Sequence, residues 1–103
     1  MINLSFQSKR VVNVSFDSGK DSNLLSFSQM RSLTKVANDL KSNNELSAVT
    51  LTGNIKKNFS FGFDLRDKEL KKLNNSTQSV KRDYFLIGKE MCDAWESLPF
   101  LTI

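Results

Sequence analysis

Phe59-Ser60-Phe61-Gly62-Phe63-Asp64-Leu65 is the stretch on which the fold turns. It follows an apolar run, Ala48-Val49-Thr50-Leu51-Thr52, that reads as a strand and closes on Gly53. A polar loop, Asn54-Ile55-Lys56-Lys57-Asn58, lies between them. Beyond Leu65 the charged segment Arg66-Asp67-Lys68-Glu69-Leu70 predicts a short helix opening near Asp64, for which Asp64 is a candidate N-cap. Strand, loop, glycine in a tight turn and helix start form a layout that aims backbone N–H groups at a ligand.

Working outward toward the N-terminus, Ile2, Leu4 and Phe6 alternate with Asn3 and Ser5, and Val12, Val14 and Phe16 alternate with Asn13 and Ser15. Both read as half-buried strands, and the short link Gln7-Ser8-Lys9-Arg10 predicts an antiparallel hairpin. Asp17 to Asn23 is a loop of turn formers. Ser26 then reads as a helix N-cap, with Gln29 three residues on to complete a capping box. Met30, Leu33, Val36, Ala37 and Leu40 follow at helical spacing, and Ser42-Asn43-Asn44 ends the helix. The strand after it is expected over Leu46 to Thr52. Strand, helix and strand in this order imply a right-handed crossover and a parallel pair.

Working outward toward the C-terminus, Asn74-Asn75-Ser76 breaks the short helix. A long amphipathic helix is predicted from about Thr77 to Ser97, with Val80, Tyr84, Ile87, Met91, Ala94, Trp95 and Leu98 on its buried face. Tyr84, Met91 and Trp95 read as core or as the wall of a pocket. Pro99 stops the helix, and Phe100-Leu101-Thr102-Ile103 reads as the opening of a buried strand. An unpaired apolar strand invites association, so an incomplete single domain over residues 1–103, or one that pairs with another chain, is expected.

Composition bounds the chemistry. The chain has 103 residues, 39% apolar and 25% charged, which suits one small globular domain. The net charge is +4, and the excess of Lys and Arg lies in the first sixty residues. That asymmetry fits an acidic ligand or simply a solvated surface. With no histidine there is no Cys–His pair, no Ser–His–Asp triad and no His-based metal site within this chain. Cys92 stands alone, which excludes an intrachain disulfide, and its place in a helical pattern predicts a small core residue. Gly19-Lys20 lacks the glycine pattern of a phosphate loop. The phenylalanines near Lys56 and Lys57 fit strand and turn positions, so no nucleic-acid surface is expected. No apolar run reaches membrane-spanning length and no signal peptide is evident, so a cytoplasmic location and no membrane partner are expected.

Four segments in order resemble one family. Asp21-Ser22-Asn23-Leu24-Leu25-Ser26 is similar to the N-A-L-S loop of the enoyl-CoA hydratase/isomerase (crotonase) superfamily. Ala48 to Gly53 resembles its strand ending in L-T-G, and Phe59 to Leu65 its F-S-A-G-A-D-L turn. Trp95 to Ile103 resembles its helix end followed by P-V-I-A-A-I. The resemblance implies an α/β fold: the N-terminal part of a spiral of strand-strand-helix units, seen here as hairpin, strand-helix-strand, short helix and long helix.

By the same resemblance the ligand is an acyl-CoA thioester, with coenzyme A as part of the substrate and no separate cofactor. Two backbone N–H groups would hold the thioester oxygen as enolate charge develops. The matching first donor is the N–H of Phe63, with Gly62 permitting the turn and the positive end of the short helix placed close by. Ser22 and Leu24 would touch the adenine and pantetheine portion, and Phe61, Asp64 and Leu65 would lie near the thioester arm. The second donor and the acid/base carboxylates of the family match no residue here. Phe61 and Phe63 stand where small residues are common in the family. The implied partners are further copies, as trimers or hexamers, or a complementing C-terminal portion. A non-catalytic binding or assembly subunit with Phe61 and Phe63 filling the pocket is the alternative.

Overall fold

The computed structural model describes residues 1–53 and 58–103. Strands β1 (Ile2–Phe6) and β2 (Val11–Phe16) form the predicted antiparallel hairpin, with Ile2 opposite Phe16 and Phe6 opposite Val12. Helix α1 (Phe27–Lys41) crosses over to β3 (Ala48–Thr52), which pairs with β2 in parallel. Helix α2 (Lys68–Lys72) runs into a 3₁₀ turn (Leu73–Asn75) and then α3 (Gln78–Glu96). The two-residue β4 (Leu101–Thr102) adds to β3 in parallel, giving the order β1-β2-β3-β4.

Period-two alternation sorts the sheet into two faces. Val12, Val14, Phe16 and Val49 point under the helices and are fully or almost fully buried. The opposite face carries uncharged polar residues, where the Asn13 Oδ1 accepts from the Thr50 hydroxyl at 2.8 Å and the Thr52 hydroxyl at 3.3 Å. The molecule measures 47 × 30 × 15 Å, one sheet covered by one helix layer. Leu33, Ala37 and Leu40 of α1 meet Trp95 of α3 and Leu98 above the sheet. The Trp95 indole donates to the Leu33 carbonyl at 3.1 Å, so the largest core side chain has its polar atom satisfied.

Helix α1 starts where expected: the Ser26 hydroxyl accepts from the Gln29 N–H at 3.0 Å. The answering bond from the Gln29 side chain is not formed, and its Nε2 is buried without a partner among the described residues. The expected strand over Leu46 to Thr52 begins only at Ala48; the Leu46 N–H is held instead by the Asn43 carbonyl at 3.3 Å, in the turn after α1.

The short helix opens at Lys68 rather than near Asp64, and its N-cap is Asp67. Asp64 instead closes a local turn, its Oδ1 accepting from the Arg66 N–H at 3.0 Å. The long helix has the predicted extent, with Thr77 and Ser97 as its caps. Its packed stripe starts one turn late: Val80 is 40% exposed, and Tyr84 is the first aromatic to reach α1, against Phe27. Cys92 is exposed, not core, because it sits about 100° around the helix from Met91, which packs inward. The strand at Phe100 to Ile103 is an exposed edge rather than a buried strand, with Leu101 and Ile103 mostly open to solvent. Among the described residues no helix is long and apolar enough to cross a membrane.

Candidate functional site

Beyond β3 the backbone passes Gly53 and returns at Asn58, whose side chain donates to the Asp21 carbonyl at 2.9 Å. The predicted polar loop Asn54 to Lys57 lies outside the described residues. A Cβ on Gly53 would run into the Phe59 backbone, so only glycine permits this close passage.

From Phe59 the segment lies parallel to the loop that precedes α1. The Phe61 N–H donates to the Ser22 carbonyl at 2.9 Å. The Leu25 N–H donates to the Gly62 carbonyl and the Asp64 N–H to the Leu25 carbonyl, both at 2.8 Å. These two bonds make Leu25 and Phe63 an isolated parallel bridge. The Gly62 N–H is taken by the Ser60 hydroxyl at 3.0 Å.

The amides of residues 61, 62 and 64 are thus occupied, while the Phe63 N–H has no acceptor among the described residues. In such a bridge the central residue's own N–H points away from the partner strand. Gly62 makes the turn possible with φ at +108°, a value that side chains other than hydrogen resist. The N-terminus of α2 does not contribute a positive end here. The helix begins five residues past Phe63, and the Asp67 carboxylate caps it by accepting from the Glu69 N–H.

The two phenylalanines leave the turn in different directions. Phe63 packs its ring on Phe27, centroids 5.0 Å apart, and Phe27 in turn meets Tyr84. Phe61 is 71% exposed.

Ser22, Leu24 and Asp64 come together in a polar cavity of about 320 Å³, which Lys20, Gln29 and Arg66 also line. The orphaned Gln29 Nε2 is therefore a buried donor at a polar cavity. Leu65 is exposed and lines no cavity described here. A second cavity of about 190 Å³ is apolar and is walled by Leu25, Leu51, Phe59, Met91, Cys92 and Trp95. Met91 and Trp95 thus stand as cavity wall as well as core, whereas Tyr84 belongs to a different apolar cleft, with Phe63 and Phe85. Among the described residues no group of three or more Cys, Asp or Glu is placed to hold a metal ion.

Sequence reasoning missed Asn23. Its side chain is fully buried, and its Oδ1 accepts from the Ser18 N–H at 2.8 Å. Its backbone has φ at +47°, a conformation that Asn tolerates better than most residues. An Asn closing a run of turn formers just before a helix cap was the available signal.

No family model matches the sequence, and none of the curated proteins matches it. Solved structures do match. An enoyl-CoA hydratase from Bacillus anthracis superposes with a TM-score of 0.78 at 22% identity, over 98% of this chain and 37% of that one. An enoyl-CoA hydratase from Mycobacterium smegmatis gives 0.80 at 20% identity, over 98% and 37%. AtuE of Pseudomonas aeruginosa gives 0.84 at 16% identity, over 98% and 38%. The chain spans little more than a third of the length of these proteins, a share consistent with an N-terminal portion. From end to end, this chain has the α/β fold of part of a crotonase-type enoyl-CoA hydratase.

Proposed function

We propose that the chain binds an acyl-CoA thioester and presents the Phe63 N–H as one donor of an oxyanion hole. One observation carries this reading: among four consecutive amides, 61 to 64, only that of Phe63 is without an acceptor among the described residues. A preorganised N–H stabilises charge that develops on a thioester oxygen without reorganising at the moment of reaction. The polar cavity with Ser22, Leu24 and Asp64 suits the polar part of coenzyme A, and Lys20 and Arg66 there suit its phosphates. The apolar cavity beside Leu25 and Phe59 suits the acyl portion. Phe61 and Leu65, both exposed, remain available to cover the thioester arm.

In this reading the chain works as the N-terminal part of a hydratase/isomerase-like enzyme. A complementing C-terminal portion, or further copies in a trimer or hexamer, supplies the second donor and the acid/base carboxylates. The exposed β4 edge and the exposed Phe59 offer such a partner apolar and backbone contacts. The alternative, a non-catalytic subunit whose pocket Phe61 and Phe63 fill, is disfavoured by the packing of Phe63 on Phe27.

Isothermal calorimetry with acetyl-CoA, on the chain alone and on the chain with a crotonase C-terminal portion added, tests the proposal. Saturable binding of acetyl-CoA in preference to free coenzyme A is expected. No heat with either ligand, alone or complemented, removes the assignment.

A further inference from the structure

Asp67 uses both carboxylate oxygens, where capping a helix needs one. Its Oδ1 accepts from the Glu69 N–H of α2 at 3.0 Å, and its Oδ2 accepts from the Phe27 N–H of α1 at 2.7 Å. Phe27 lies two residues beyond Leu25, and Asp67 lies four beyond Phe63. The contacts between the two segments therefore run in order. Ser22 takes the Phe61 N–H, Leu25 bonds Gly62 and Asp64, and Phe27 gives its N–H to Asp67. The first contacts are backbone pairs. The last is a side chain standing in for the carbonyl that a continuing parallel ladder would supply, at the point where the chain has already turned away.

Helix α2 has five residues, none buried, and is too short to persist by its own hydrogen bonds. Its Leu70 packs, partly buried, against Phe27, Met30 and Leu73, and its Glu69 meets Arg31 at 3.1 Å and the Tyr84 hydroxyl at 3.3 Å on a partly exposed surface. Arg66, between Phe63 and Asp67, is exposed and only 4.0 Å from Asp64 of its own turn. The orientation of the Phe63 N–H is thus fixed on one side by the Leu25 bridge and on the other by the Asp67 carboxylate.

We propose that Asp67 is a positioning residue: it locks the 59–67 segment to the first turn of α1 and so sets the direction of the Phe63 N–H. What that N–H is used for rests on the functional reading above; the lock itself does not.

Asp67→Ser separates this role from local capping. Serine is a strong N-cap and can still serve the Glu69 N–H, but its single short hydroxyl does not also reach Phe27. Asp67→Asn is intermediate, since it keeps one acceptor oxygen. Backbone N–H residual dipolar couplings, measured on the weakly aligned full chain, read the direction of each amide. In Asp67→Ser the Phe63 coupling is expected to move well beyond experimental error while the couplings of β2 and α3 stay put. Asp67→Asn is expected to give a smaller shift of the same sense. A wild-type Phe63 coupling in a folded Asp67→Ser protein overturns the proposal. If Asp67→Ser does not fold, Asp67→Asn is read by the same criterion. Acetyl-CoA binding by the wild-type chain separates the two claims. A Phe63 coupling that moves in a protein with no acetyl-CoA affinity keeps the positioning role and removes the functional reading.

Discussion

The Asn23 side-chain amide donates to the Phe59 carbonyl at 2.7 Å, and its second hydrogen goes to the Phe16 carbonyl at 3.0 Å. One buried side chain thereby joins the end of β2, the loop before α1 and the start of the turn that carries Phe63. The first two are consecutive in the chain, the third lies 36 residues beyond Asn23, and no other described side chain bonds all of them. Asn23→Asp would face two carbonyls with a group that donates nothing, at a fully buried site. A loss of about 3 kcal/mol or more is expected. Asn23→Gly keeps the backbone conformation but loses the bonds, and Asn23→Ala loses both. The urea midpoint should fall in the order Gly, Ala, Asp, and a midpoint for Asp within error of wild type would refute the linking role.

Gly53 and Gly62 matter for different reasons, and alanine tells them apart. At Gly53 the added methyl meets the Phe59 backbone, which has no rotamer to yield. At Gly62 nothing lies within 4 Å of the added carbon, and the cost is the positive φ alone, roughly 1–2 kcal/mol. Thermal unfolding is expected to show Gly53→Ala as the more damaging change. Equal losses would mean that the turn at Gly53 relaxes freely.

Cys92 is open to solvent at the rim of the apolar cavity. Ellman's reagent should label one thiol per chain in the folded protein without denaturant. Labelling that appears only above the unfolding transition would return Cys92 to the core.

Glu69 raises the pKa of Arg31, chiefly through their hydrogen bond, with a smaller contribution from Tyr84. A cation whose folded pKa is raised contributes stability that is fully present below its unfolded pKa. That stability is lost only as pH rises through the folded value. For an arginine this window lies far above the neutral range, so Arg31 adds no pH dependence near neutrality. The pair is partly exposed, and Arg31→Gln should cost about 0.5–1 kcal/mol, less in high salt. The difference in urea midpoint between wild type and Arg31→Gln is expected to be flat from pH 7 to 9; a slope there would contradict the assignment.

Much of the fold was legible because local signals and tertiary packing agree. Val12, Val14 and Phe16 alternate and are buried as read, and Ser26 caps α1 as read. Where they disagreed, a distant partner decided. Asp64 and Asp67 are equally good caps on local grounds, and Asp67 has the role because Phe27, forty residues away in sequence, also bonds it. Val80 lies on the correct stripe of α3 but one turn short of the contact with α1. Gly62 announced the turn at the candidate site and the resemblance picked out the Phe63 N–H, but that it alone of its neighbours lacks an acceptor among the described residues was not legible. It depends on Ser22, Leu25 and Ser60 consuming its neighbours' hydrogen-bonding capacity.

The free Phe63 N–H is the centre of the account, and the most direct measurement follows that amide during a titration. In ¹H–¹⁵N spectra of the chain with acetyl-CoA, the Phe63 amide proton should move downfield as it gains the thioester oxygen. It should move less with free coenzyme A, which has no such oxygen. A Phe63 resonance that stays in place while other amides show acetyl-CoA to be bound would contradict the account.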